Sequence, residues 1–242
     1  MNIYSNPKLY DAIHHDYTWD FKLIRSIAEN IDGPILELAS GTGRLSKDIV
    51  RLGLNYTGLE LSQPFLDTSK EKFGDNARFI KGDMRDFSLG EKFNFIFIGF
   101  NSFLHNLTIE DAQSCLRCVN THLYDRGCFL VSIFIPDPIF LYREKDKLYP
   151  ATDYFEFKNS TCRIMEKNQY NSQSQINELT WVVEKDGEIA KEEYHYSMRM
   201  FYPHEMDIIL SESGLTIKEK LGSYDGSPMD TESGMQIYVC ER

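Results

Sequence analysis

Residues 34–46, PILELASGTGRLS, constrain the fold more than any other stretch of the chain. A short apolar run goes straight into two glycines, Gly41 and Gly43, and then into a segment that reads as helix over residues 44–52. Glycine has no Cβ, so the turn can be tight and another group can approach its backbone closely. The helix behind the turn points free N–H groups at whatever lies there. A strand that enters a helix this way belongs to an open α/β sheet, whose ligands collect at the carboxyl ends of the strands.

The same alternation continues on both sides. Residues 20–31 place Phe21, Ile24, Ile27 and Ile31 at helical spacing. Strands are predicted at 55–61, 77–83, 93–100 and 127–134, with helices at 63–73, where Pro64 falls in the first turn, and at 110–123. Strands alternating with helices in this way give a mostly parallel sheet with helices on both faces. After Pro136 the pattern changes to three strand-like runs, and Asp186-Gly187 marks a hairpin between the last two. A helix over about 203–213, ended by Gly214, then precedes two final strands, with a polar loop at 223–234 between them. The expected organisation is one α/β domain from 1–134 and 202–242 with an N-terminal helical cap, and an antiparallel β lid or substrate insertion at 135–201.

Composition narrows the partners. The formal charge of −11 argues against a surface that tracks phosphates, so no nucleic acid is expected. No apolar run is long enough for a membrane helix, and the first residues lack the basic flank and apolar stretch of a signal peptide, so no membrane and a cytoplasmic address are expected. Cys115 and Cys118 form a C-x-x-C without a second pair, within a predicted helix where residues three apart share a face. Packing is the expected role, and no metal.

Residues near the turn describe its ligand. Glu60 ends the second strand, where a carboxylate can accept hydrogen bonds from both hydroxyls of a ribose; a plain acidic residue at a strand end is the alternative. Together with the glycines it favours an adenosine-type ligand without separating a nicotinamide dinucleotide from a methyl donor. Three details separate them. Ser46 stands where a dinucleotide fingerprint needs Gly or Ala. Glu37 lies inside the first strand, where a phosphate has no use for an acid but a positively charged amino-acid group or sulfonium does. Asp83 ends the third strand, placed to accept a bond from an adenine amino group. Only Arg44 would offer a pyrophosphate positive charge.

With these motifs in this order, the sequence resembles the class I S-adenosylmethionine-dependent methyltransferases over residues 34–134, and more loosely over 203–241. LELASGTGRL is similar to that family's first motif, with Ala39 in place of its first glycine. The resemblance implies Glu60 and Leu61 at the ribose, Asp83 and Met84 at the adenine, and Gly99 to Asn101 beside the methionine end. It further implies a Rossmann-like seven-stranded sheet of order 3-2-1-4-5-7-6 with the last strand antiparallel. YDAIHHDYTWD and the insertion look like the small-molecule branch of the family, which includes amino-sugar N-methyltransferases.

The cofactor expected is therefore S-adenosyl-L-methionine, with S-adenosyl-L-homocysteine as product, held by Tyr10, Glu37, Ala39, Gly41, Gly43, Arg44, Glu60, Leu61, Asp83, Met84, Gly99 and Asn101. Transfer to N or O of a small-molecule acceptor is an in-line displacement, so catalysis is mostly positioning, and a base is needed only for an acceptor that arrives protonated. His105 and Tyr17 are the catalytic candidates. His105 can equally be a loop histidine with a structural bond, and Tyr10 and Tyr17, seven apart, can share a helical face over the cofactor or form an N-terminal aromatic staple. His14 and His15 project differently and do not make a metal pair. In EEYHYSMRMFY, Arg199 is expected to be solvated. A monomer or homodimer fits the sequence. The competing readings are an NAD-dependent oxidoreductase and a non-catalytic S-adenosylmethionine-binding protein.

Overall fold

The computed structural model describes all 242 residues. After a 3-10 turn at Ile3–Ser5 come helices α1 (Pro7–Ile13) and α2 (Phe21–Glu29). Asn6 caps α1 by accepting from Leu9 N–H, and Pro7 sits at its first position, where a missing N–H costs nothing. The alternating core follows as β1 (Ile35–Leu38), α3 (Ser46–Arg51), β2 (Tyr56–Glu60), α4 (Gln63–Phe73), β3 (Arg78–Lys81), β4 (Phe93–Ile98), α5 (Ile109–His122) and β5 (Leu123–Phe134). Ser62 caps α4 and Thr108 caps α5, each accepting from the backbone three residues on.

A short helix α6 (Pro138–Leu141) leads into β6 (Tyr149–Pro150), β7 (Phe155–Phe157), β8 (Ser160–Asn171), β9 (Ile176–Lys185) and β10 (Glu188–Arg199). Asp186 and Gly187 both have positive φ, as the tight turn between β9 and β10 requires. The chain then returns through α7 (Pro203–Glu212) to β11 (Thr216–Leu221) and β12 (Met235–Glu241).

The seven-stranded sheet has the order β3-β2-β1-β4-β5-β12-β11, with β12 antiparallel to β5 and the others on that side parallel. Counted within this sheet alone, that is the expected order 3-2-1-4-5-7-6. Its two faces carry separate apolar cores. One joins the sheet to α2, α3 and α4 through Ile24, Ala28, Ile49 and Leu66, and the other packs α5 and α7 through Leu116, Val119, Met206 and Leu210. Burying each large aliphatic or aromatic side chain contributes roughly 1.5–3 kcal/mol, and Phe93, Phe95 and Phe97 on the central β4 are fully buried. Cys115 is one of these core side chains, in keeping with packing.

Residues 149–199 form a second, antiparallel sheet of order β10-β9-β8-β6, with β7 also paired to β8. Two expectations are corrected. β4 stops at Ile98, two residues short, because Phe100 and Asn101 take positive φ of 52° and 63° and cannot continue a strand. Tyr10 and Tyr17 do not share a helix, because α1 ends at Ile13.

Candidate functional site

The carboxyl ends of β1, β2 and β4 converge where the glycine turn begins. Gly41 has φ of 60° and Gly43 of 83°, so both use the left-handed region that glycine enters freely. Ala39 shares that conformation with φ of 55°, a strained one for a residue with a Cβ. A Cβ on Gly43 would lie 2.5 Å from Phe73, so the turn packs against the end of α4.

Glu60 reaches across from β2 into this turn. Its Oε2 accepts Gly41 N–H at 2.8 Å and its Oε1 accepts Ser62 N–H at 2.6 Å. Burial raises its pKa against the pull of those amides. Each carboxylate oxygen keeps further acceptor capacity, which two vicinal hydroxyls can use. A Cβ on Gly41 would find only Phe65, at 3.9 Å, and the buried Ser40 hydroxyl beside the turn has no hydrogen-bond partner. An acceptor-only carboxylate, an open approach to backbone and an orphaned hydroxyl fit the ribose and amino-acid portions of an adenosyl methyl donor. Leu61 is 56% exposed and follows Glu60 along the rim.

Glu37 sits beneath. Its Oε2 accepts the Tyr56 hydroxyl at 2.5 Å, and Ser46 donates to that same Tyr56 oxygen at 2.7 Å. Burial pushes its carboxyl up to about 8, with the Tyr56 bond and Arg44 opposing. Its other oxygen hydrogen-bonds to no protein group. Ser46 therefore has a use that the sequence pattern did not reveal: it orients Tyr56 on Glu37.

Arg44 is not a free cation. Its guanidinium pairs with both oxygens of the fully buried Asp20 at 2.8 and 2.6 Å and donates to the Tyr17 carbonyl at 3.0 Å. The group also lies over the rings of Tyr17, Phe21 and Phe100. Asp83 is likewise held, by Arg85 through two side-chain bonds at 2.6 and 2.9 Å, which keep its carboxyl below the usual range. Met84 packs half-buried against the core beside it. Gly99 is buried against Leu45, and the Asn101 side chain accepts Phe134 N–H at 2.8 Å, tying the end of β4 to β5.

The first 20 residues cover the turn. Asp11 of α1 accepts from the Thr42 hydroxyl and from Lys72 of α4, at 2.6 Å for the lysine. Ser62 donates to the Tyr4 carbonyl at 2.6 Å. His105 has both nitrogens engaged. Nδ1 can only donate to the Ser197 carbonyl at 3.1 Å, so Nε2 accepts the Tyr4 hydroxyl at 2.7 Å. Burial keeps this imidazole below its ordinary pKa.

Around these bonds the three parts of the chain bring aromatic rings together. Tyr10 contacts Phe65 and His14, His14 contacts Phe100 and Trp181, Tyr17 contacts Phe100, and Trp181 meets Tyr196 at 5.2 Å. His14 and Trp181 were missed by sequence reasoning; only the closeness of His14 to Tyr10 in the sequence, just past one short helix, hinted at it. Trp181 is fixed by donation to Glu166 at 2.6 Å, and Glu166 is paired to Arg143. Arg199, expected in solvent, is instead bonded to Glu205, Gln175 and the Ser174 carbonyl, because β10 ends against the start of α7. A surface cleft of about 420 Å³ opens beside Tyr17, between Trp19, Lys22, Ser223, Tyr224 and Met235. No group of three or more His, Cys, Asp or Glu side chains is arranged for a metal ion. No helix is long and apolar enough to cross a membrane.

The sequence and the fold have known counterparts. Residues 35–127 match a family described as a methyltransferase domain. A dTDP-3-amino-3,6-dideoxy-α-D-glucopyranose N,N-dimethyltransferase of Streptomyces fradiae is 23% identical over 93% of this chain and 89% of its own. Two further curated methyltransferases match at 30% and 32% identity, but the matches span only 48% and 40% of their lengths. Among solved structures, the CcbJ methyltransferase of Streptomyces caelestis superposes with a TM-score of 0.81 at 22% identity, covering 99% of this chain and 98% of that one. S-adenosylmethionine-bound CalS10, an amino pentose methyltransferase of Micromonospora echinaspora, gives 0.72 at 17% identity over 97% and 96%.

Proposed function

We propose, from the match of residues 35–127 to a family described as a methyltransferase domain, that this chain moves a methyl group from S-adenosylmethionine to a nitrogen of a small amine, with amino sugars as the first class to try. The observation that carries the reading is Glu60, a buried carboxylate oriented by two backbone amides at the tip of a turn built from Gly41 and Gly43. When bound, the donor supplies an electrophilic methyl on a positively charged sulfur, and displacement delivers it to a lone pair while the C–S electron pair returns to sulfur.

The chain's own residues do the rest. Glu60 and the glycine turn hold the ribose, with Leu61 at its rim, and Asp83 and Met84 border the adenine. Glu37 serves the amino-acid portion from below, and Ala39, Gly99, Asn101 and Tyr10 shape that end. Arg44, neutralised by Asp20, acts by fixing Tyr17 and Phe100 more than by its charge. Tyr17 and His105 remain the catalytic candidates, with His105 reaching an acceptor only through the Tyr4 hydroxyl. The second sheet serves as the lid, and residues 1–20 as the cap. The working form is a monomer or homodimer in the cytoplasm.

Calorimetric titration with S-adenosylhomocysteine tests the reading, followed by a panel of amino sugars monitored for methylated product. Absence of binding overturns it, and tight binding of a nicotinamide dinucleotide instead would favour an oxidoreductase. Donor binding without turnover on a broad acceptor panel would favour a non-catalytic binding protein.

A further inference from the structure

His14 is the polar group in the aromatic cluster that nothing yet explains. It follows α1, on the segment that covers the glycine turn, and its ring meets Tyr10 at 4.4 Å, Phe100 at 4.8 Å and Trp181 at 6.4 Å between centroids. These three come from the N-terminal segment, the end of β4 and the second sheet. The other nitrogen-bearing side chains there are engaged: His105 with Tyr4 and Ser197, Arg44 with Asp20, and Trp181 with Glu166. The His14 imidazole hydrogen-bonds to no protein group and is only partly buried, so it borders open space. A polar ring left unpaired among aromatic side chains is costly unless something else satisfies it.

We propose that His14 is the residue that receives the methyl acceptor, accepting a hydrogen bond from its N–H and so turning the nitrogen lone pair toward the donor. The assignment rests on the methyltransferase reading. It also fixes the form of the acceptor that binds: an uncharged amine. The carboxylates around the cluster already have partners, none of them left to an incoming ammonium alone. Asp11 is held by Thr42 and Lys72, Asp20 by Arg44, Glu60 by the amides of Gly41 and Ser62, and Glu166 by Arg143 and Trp181.

Burial, with the Arg44 guanidinium adding to it, pulls the His14 imidazole down to about 3. The ring is therefore neutral at working pH, and one of its nitrogens is always an acceptor. Such a weakly basic ring does not deprotonate an ammonium. It orients an amine that has already lost its proton, which is the form with a lone pair to react.

The test uses protein labelled with ¹⁵N at histidine, saturated with S-adenosylhomocysteine. The probe is 3-amino-3-deoxyglucose, added at a pH above the pKa of its amine, with glucose as control. The amine is expected to move the His14 nitrogen resonances, leaving the exposed His15 unmoved, and glucose to leave both in place. In His14→Phe the affinity for the amine should fall about tenfold, the loss of about one hydrogen bond, while S-adenosylhomocysteine affinity stays within about threefold. His14→Asn, which keeps an acceptor oxygen, should recover part of the difference. An unmoved His14, equal shifts with glucose, or equal amine affinity in His14→Phe overturns the assignment. A variant that loses S-adenosylhomocysteine affinity as well would place His14 on the cofactor and also overturn it. If the wild-type protein fails to bind S-adenosylhomocysteine at all, it is the methyltransferase reading that falls.

Discussion

Three carboxyl and backbone positions around the turn behave differently from ordinary surface residues. Glu60 faces two N–H donors, so Glu60→Gln sets its own NH₂ against one of them and loses two charge-assisted bonds. Affinity for S-adenosylhomocysteine should fall at least about tenfold by calorimetry, with a loss of roughly 1.5–3 kcal/mol in stability. Glu37 adds its own pH dependence. Its folded pKa of about 8 exceeds the ordinary 4.5, so the folded state keeps a proton that the unfolded chain has lost. That contribution is full below about 4.5 and drains away as pH rises to about 8, with a slope of at most ~1.4 kcal/mol per pH unit. Urea unfolding across that window should show wild-type stability falling relative to Glu37→Gln as pH rises, because the lowered His14 titration is common to both proteins; parallel lines would reject the assignment. Ala39 carries a Cβ at φ of 55°, and Ala39→Gly should raise stability by about 1 kcal/mol in the same measurement.

At the scale of elements, the sequence was readable wherever local chemistry dictated the outcome. Asp186-Gly187 announced its hairpin because few other pairs accept positive φ, and Pro64 and Gly214 marked helix ends by the angles they accept. It was unreadable where a distant partner decides. Asn101 leaves the strand conformation to hold Phe134 of β5, and Tyr17 lies beyond α1, on a stretch whose carbonyl Arg44 takes up. The helix α1 is itself attached by such a contact, since Asp11 joins Thr42 in the glycine turn to Lys72 of α4. Any ligand entering the turn must pass this clasp. Asp11→Asn should speed S-adenosylhomocysteine dissociation several-fold in stopped-flow experiments. Global melting should barely move, because the partly exposed ion pair is worth only about 0–1 kcal/mol. Unchanged dissociation would mean that α1 does not gate the turn.

Across the whole molecule, the alternating periodicity was enough to expect a mostly parallel sheet, the family resemblance supplied the order of its seven strands, and the ordered motifs were enough to place Glu60 and the glycines at its edge. The side-chain pairs that close the site were not legible, because they link residues far apart in the chain: Tyr4 with His105, Arg44 with Asp20, Glu166 with Trp181. Periodicity assigns a residue to a face but does not name the partner that another element brings to it. The Tyr4–His105–Ser197 chain joins the N-terminal segment, the core and the second sheet at one imidazole. Because His105 is partly buried and its Nε2 has a single donor, Tyr4→Phe leaves an unpaired nitrogen and should cost roughly 1–3 kcal/mol. His105→Phe leaves the Tyr4 hydroxyl without its acceptor, whereas the double variant leaves neither of those two groups unpaired, so it should be less destabilised than the sum of the singles. A double-mutant cycle followed by urea unfolding should return a coupling of roughly 0.5–3 kcal/mol. A coupling near zero would show that the three parts are held together by their aromatic packing alone.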